Sequence, residues 1–254
     1  MKLGTVTYNL AMDWDVPTII KHCTEAKFEG VELRTSHKHG VEVGLSKEQR
    51  AEIKRRFADS PVALASMGSA FDYHTADQAK LRKDIEATKE YIVLAHDVGA
   101  TGVKVRPNGI AKELGVEKTL EQIGRSLREL GEFAEGYGQQ IRLEIHGNPT
   151  SQVPYCKTIM DHANHRQVGL CWNSNQTDLA GEGFEANFAL VKQKIMTVHM
   201  RDLFLEEYPF RKLLTSLNGI GFTGFCFAEI PESKDPVRVM KYYRALWLAY
   251  QGLL

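Results

Sequence analysis

The chain has 254 residues, 43% of them hydrophobic and 25% charged, which is enough apolar material to bury the large core of one α/β domain. Its 32 basic side chains balance 32 acidic ones, so it lacks the basic excess of a typical nucleic-acid binder. No run approaches the roughly 18 apolar residues that would make a membrane span, and no apolar leader opens the chain.

From the N-terminus, short apolar runs alternate with longer amphipathic ones. A strand is expected over 2–9 (KLGTVTYN), then a helix over 15–29, with Pro17 near the helix start, where its missing N–H costs nothing. A second strand, 30–35 (GVELRT), leads to a helix over 46–60, in which Ser46 and Gln49 make a capping-box pattern. Strands at 62–69 (VALASMGS) and 102–107 (GVKVRP) flank a helical pattern over 77–99, and a similar pattern over 119–138 precedes the strand at 141–147 (IRLEIHG). Both helical patterns carry apolar residues at i, i+3, i+4 and i+7 and end near glycine. The remaining strands are expected at 168–173 (VGLCWN), 195–202 (IMTVHMRD) and 224–231 (GFCFAEIP), with helices over 153–164, 185–193, 209–221 and 235–254.

These eight strand–helix repeats fill the chain with no linker between them. Strands so short and apolar fit a parallel sheet buried on both faces. No glycine-rich phosphate turn follows the first strand, which ends in Thr7, Tyr8 and Asn9, so an open dinucleotide-binding sheet is disfavoured. The expectation is a single (β/α)8 TIM barrel over residues 1–254, with its site at the C-terminal ends of the strands. Cys23, Cys156, Cys171 and Cys226 show no CxxC spacing. Buried reduced thiols and a cytoplasmic location are expected.

Polar residues cluster at the expected strand ends: Glu32 and Arg34 on the second, Lys104 and Arg106 on the fourth, Glu144 and His146 on the fifth. Asn173 ends the sixth, His199, Arg201 and Asp202 the seventh, and Glu229 the eighth. Side chains alternate along a strand, so Glu144 and His146 point the same way, as do His199 and Arg201. Carboxylates near a barrel axis are costly unless a cation or hydrogen bonds compensate. A divalent metal on Glu144, Asn173, His199 and Glu229 meets that cost with three oxygen ligands and one nitrogen. Such a set suits Mn²⁺, Mg²⁺ or Co²⁺, and also admits Zn²⁺.

The motifs LEIHG (Glu144), TVHMRD (His199, Asp202), FAEIP (Glu229) and GVELR, in that one-per-strand placement, resemble the xylose isomerase-like barrels of the sugar phosphate isomerase/epimerase superfamily. The resemblance covers nearly the whole chain. It implies a metal-dependent isomerase or epimerase acting on a sugar, keto-sugar or polyol through a metal-bound enediolate. Glu144 and Glu229 would be both ligands and acid/base pair, and His199 a neutral ligand. Asp202 would orient His199, and Glu32 would lie deeper, paired with Lys104 or Arg34. His146, Lys104, Arg106 and Arg201 would hold substrate hydroxyls or an anionic group. Tyr8 and Trp14 could pave a sugar pocket, whereas Trp172 faces the helices.

The chain departs from that pattern on the sixth strand, where relatives often carry Asp-x-x-His. Here the two positions are Asn173 and Gln176, neutral stand-ins for a ligand and a substrate-pocket residue, so weaker metal binding is expected. Two alternatives stay open: a lyase or dehydratase using the same enolate chemistry, and a sugar-binding pseudoenzyme with weak metal affinity. A DNA-repair relative of the same fold is disfavoured by the zero net charge. The expected partner is a small carbohydrate, with no nucleic acid and no membrane. The apolar C-terminal helix is compatible with a homo-oligomer or with outer-ring packing.

Overall fold

Every apolar run forms a strand and every strand is followed by a helix in a computed structural model that describes residues 1–254. The strands are β1 (Lys2–Val6), β2 (Gly30–Arg34), β3 (Ala63–Gly68), β4 (Gly102–Val105), β5 (Gln140–Glu144), β6 (Val168–Asn173), β7 (Ile195–Met200) and β8 (Phe225–Ala228). They pair in parallel in chain order, and β8 closes onto β1. Around them lie α1 (Val16–Ala26), α2 (Lys47–Ala58), α3 (Gln78–Val98), α4 (Gly115–Glu135), α5 (Val153–Ala163), α6 (Phe184–Val191), α7 (Phe210–Gly219) and α8 (Pro236–Tyr250). The expected (β/α)8 barrel is the observed fold.

Local chemistry sets the boundaries. Ser46 Oγ accepts from the Gln49 N–H at 3.3 Å and Gln49 Oε1 accepts from the Ser46 N–H at 2.8 Å, the reciprocal cap that starts α2. Pro17, Pro154 and Pro236 each sit in a first helical turn. The helix expected from residue 119 begins at Gly115. The seventh and eighth strands stop at Met200 and Ala228, short of the expected ends at 202 and 231. At these C-terminal ends the chain leaves the ladder to build loops, although its sequence stays strand-like.

The core lies in two shells, one inside the barrel and one between barrel and helices. Trp172 points outward into the second shell, where its ring meets Phe184 and Phe188 edge-on. All four cysteines are buried and free. No helix is long and apolar enough to cross a membrane. The helix ring closes tightly where α4 meets α5: a Cβ on Gly124 would stand 2.3 Å from His162 Cβ and 2.8 Å from the Ile159 carbonyl oxygen.

Candidate active site

A cavity of about 500 Å³ opens at the C-terminal ends of the strands, where barrel sites are expected. Glu144 and Asn173 are the last residues of β5 and β6, His199 is the last but one of β7, and Glu229 follows β8 directly. Asn173 is in register with His199 across the β6–β7 ladder. Ser174 fastens this edge, its Oγ donating to the His199 carbonyl oxygen and accepting from the Arg201 N–H, both at 3.3 Å. Ligand atoms of Glu144, His199 and Glu229 all come within 4.8 Å of one another.

The hydrogen bonding around His199 tells what this cluster wants. Its Nε2 faces Glu32 Oε1 at 3.1 Å, so the N–H of a neutral ring belongs there. Nδ1 is then a lone pair, 3.6 Å from Glu144 Oε1 and 3.8 Å from Glu229 Oε2. It is buried and has no hydrogen-bond partner. Burial pushes the imidazole down, but Cys171, Glu32 and Glu144 outweigh it and pull the group well above its ordinary value, so without a cation a proton on Nδ1 is favoured, and a cation there takes the place of that proton. A lone pair among carboxylate oxygens is the environment a divalent cation satisfies, and the residues present fit one. Gly68 makes room for the brace, since a Cβ there would meet Glu32 Oε1 at 2.8 Å.

The two glutamates differ. Glu144 is tied at both oxygens, Oε2 by Lys104 Nζ at 2.6 Å and Oε1 by Asn173 Nδ2 at 3.1 Å. Burial raises its carboxyl, yet Lys104 and His199 prevail and hold it well below the usual carboxylate range. Glu229 has no lysine or arginine partner, and its side chain is 22% exposed to the cavity. Burial raises its carboxyl above the ordinary value, with His199 only partly offsetting it.

Most of the site residues expected from the sequence meet here. Glu32, Lys104, Arg106, Glu144, His146, Asn173, His199, Arg201, Asp202 and Glu229 all line the cavity. Burial holds the His146 imidazole below its ordinary value. Four placements differ from expectation. The Lys104 ammonium is engaged by Glu144, because a cation with 6% exposure needs a counter-charge more than a substrate contact. The orienting partner of His199 is Glu32, not Asp202, and Glu32 pairs with neither Lys104 nor Arg34. Gln176 lies outside the cavity: the chain turns into a short 3₁₀ segment, Gln176–Leu179, and its exposed amide donates to the Glu207 carbonyl oxygen at 3.0 Å. Asn175 lines the cavity instead. Tyr8 lines it too, whereas Trp14 packs on His22. Asn9 was missed in the sequence, although it lies only three residues past the end of β1.

Comparison with known proteins follows the same lines. Residues 20–247 match the family model described as xylose isomerase-like TIM barrel. An inosose isomerase of Bacillus velezensis is 23% identical over 190 residues, which span 74% of this chain and 66% of that protein's length, just under two thirds. Among solved structures, the IOLI protein with a bound zinc atom superposes with a TM-score of 0.81 at 18% identity, covering 98% of each chain. An L-ribulose 3-epimerase gives 0.82 at 16% identity, covering 99% of this chain and 94% of the other. The 3-keto-D-glucoside 4-epimerase of E. coli gives 0.80 at 14% identity, covering 98% and 99%.

Proposed function

The chain belongs to the xylose isomerase-like TIM barrel family, and from that premise we propose that it is a sugar isomerase or epimerase acting on a keto-sugar or polyol with a divalent metal. The observation that carries this reading is the convergence of Glu144, His199 and Glu229 on one point of the cavity, with a buried His199 Nδ1 that has no hydrogen-bond partner and faces two carboxylates. The inosose isomerase and the epimerases among the similar proteins support the reaction class.

Glu144, His199 and Glu229 would hold the metal, with the Asn173 amide oxygen as a fourth donor after a half-turn of its side chain. A cation so held supplies Lewis-acid polarisation of a substrate carbonyl and a template for adjacent oxygens. The rest of the work falls to the protein. Glu32 fixes the His199 ring. Lys104 keeps Glu144 ionised. Glu229 faces the cavity without a lysine or arginine partner and takes the proton from the carbon beside the carbonyl. Two carboxyls whose surroundings set their proton affinities apart are what an acid/base pair needs. Returning the proton to another carbon gives an isomerase, and returning it to the other face gives an epimerase.

Solvent exchange tests this directly. With ketohexoses and inososes as probes in D2O, the wild-type protein is expected to exchange the proton beside the carbonyl. Glu144→Gln and Glu229→Gln should each lose about 100-fold or more. Exchange retained in both variants would overturn the acid/base assignment.

A second reading, sugar binding without turnover, draws on one observation: Lys104 and Asn173 already satisfy both oxygens of Glu144 without a cation. Metal analysis of protein purified without chelator separates the two. A lyase would begin with the same proton removal and is distinguished by its products.

A further inference from the structure

Three loops meet beside the cavity in a chain of polar side chains that the acid/base assignment leaves unused. It begins at Asp72 after β3, passes through Asn108 after β4, and ends at His146 after β5. Asn108 Nδ2 donates to Asp72 Oδ2 at 3.2 Å, and Asn108 Oδ1 lies 3.1 Å from His146 Nδ1. Which atom donates at each step follows from chemistry. A carboxylate only accepts, so the Asn108 amino group must face Asp72. The Asn108 carbonyl oxygen therefore faces His146, and an oxygen that only accepts requires a proton on Nδ1. In a neutral imidazole the other nitrogen is then a lone pair. Nε2 makes no bond to the protein, and the ring lines the cavity.

The backbone holds this chain in place. Asn108 has φ +67° and Gly147 has φ +86°. A Cβ on Gly147 would come within 2.6 Å of the Asn108 Cα, C and O atoms, so only glycine lets the two loops lie this close. His74 Nδ1 at 3.1 Å and Lys80 Nζ at 3.8 Å flank Asp72 Oδ1.

We propose that Asp72 and Asn108 are positioning residues that lock His146 in its Nδ1–H tautomer, so that Nε2 accepts a hydrogen bond from a substrate hydroxyl. The inference rests on the reading of the cavity as a sugar site, and it adds a specificity. Opposite His146 the substrate must offer a donor, so a hydroxyl is taken there and a carbonyl, carboxylate or phosphate oxygen is rejected.

The test is nitrogen NMR of the full chain labelled with ¹⁵N-histidine, in mildly alkaline buffer, with the His146 signals assigned by difference from His146→Gln. The expected wild-type pattern is a protonated Nδ1 and an unprotonated Nε2; the reverse pattern overturns the proposal. In Asp72→Asn the new amide can donate to Asn108 Oδ1, freeing the Asn108 amino group to turn toward His146. The Nε2–H population should then rise on the order of tenfold. An unchanged ratio in the folded variant removes Asp72 from the relay. Xylitol at high concentration is expected to move the Nε2 resonance and leave Nδ1 in place, and an unmoved Nε2 resonance rejects the acceptor role. None of these measurements needs turnover, so they stand or fall separately from the solvent-exchange experiment.

Discussion

At the scale of single residues the site turns on a neutral amide. Asn173 ends β6 in register with His199, and its amide donates to Glu144 at 3.1 Å. In the metal-free protein that hydrogen bond helps Glu144 stay charged in a buried place. Asn173→Asp would set a second carboxylate beside it. Two unit charges about 4 Å apart interact by about 4 kcal/mol at the dielectric of a partly wet site. The substitution should therefore lower the melting temperature of the metal-free protein and tighten Mn²⁺ binding by about tenfold or more, since the added charge repels Glu144 but attracts the cation. Calorimetric titration checks it, and an unchanged affinity would remove Asn173 from the ligand set. Most of the polar residues that line the cavity were legible in sequence because each stands out against an apolar strand. Their pairings were not: Glu32 with His199 spans 167 positions and Lys104 with Glu144 spans 40. Lys104 meets Glu144 when β4 and β5 pair, whereas Glu32 on β2 meets His199 on β7 only when the strands close into a ring.

At the scale of elements, the alternation of apolar and amphipathic runs located all eight strands and all eight helices, because a strand buried on both faces and a helix buried on one carry different periods. Where elements end was harder to read. Strand-like sequence continues past Met200 and Ala228 after the ladder has stopped, and the 3₁₀ turn at Gln176–Leu179 carries Gln176 away from the cavity. A polar cluster after a strand states that a site loop follows, but not which of its side chains turns inward. Helix packing has its own test. Gly124→Ala should destabilise the protein by about 1–3 kcal/mol, because the added methyl collides with α5 backbone as well as with His162. Gly219→Ala, where no atom lies within 4 Å of the new methyl, is the matched control and should be neutral or mildly stabilising. Urea midpoints of the two variants check it, and equal midpoints would mean that the α4–α5 contact is not tight.

At the scale of the whole molecule, Asp178 ties stability to pH. It is fully buried after β6, its Oδ2 accepting from Tyr208 Oη at 2.7 Å and from the Asn175 N–H at 3.0 Å, while Oδ1 has no partner. Burial pushes its carboxyl up to about 7, against the hydrogen bonds from Tyr208 and Asn175, which lower it. The folded state thus holds this proton more tightly than the unfolded chain. The Asp178 contribution is complete below about pH 4, where both states are protonated. It is lost as pH rises toward about 7, and it is level above that. Asp178→Asn should flatten the dependence of unfolding free energy on pH across that window, and a slope identical to wild type would refute the assignment. Tyr208 also accepts from Trp172 Nε1 at 2.9 Å, so the same network anchors β6 beside Asn173. By itself the sequence determined the barrel, the one-per-strand order of Glu144, Asn173, His199 and Glu229, and the outward place of Trp172, since periodicity and residue type are local properties. Only the tertiary structure decided that Glu32 orients His199, that Lys104 serves Glu144, that Gln176 faces away and that Asp72 reaches His146 through Asn108. Those contacts join different strands and loops, and which donor meets which acceptor is fixed only when barrel closure brings them within hydrogen-bonding reach.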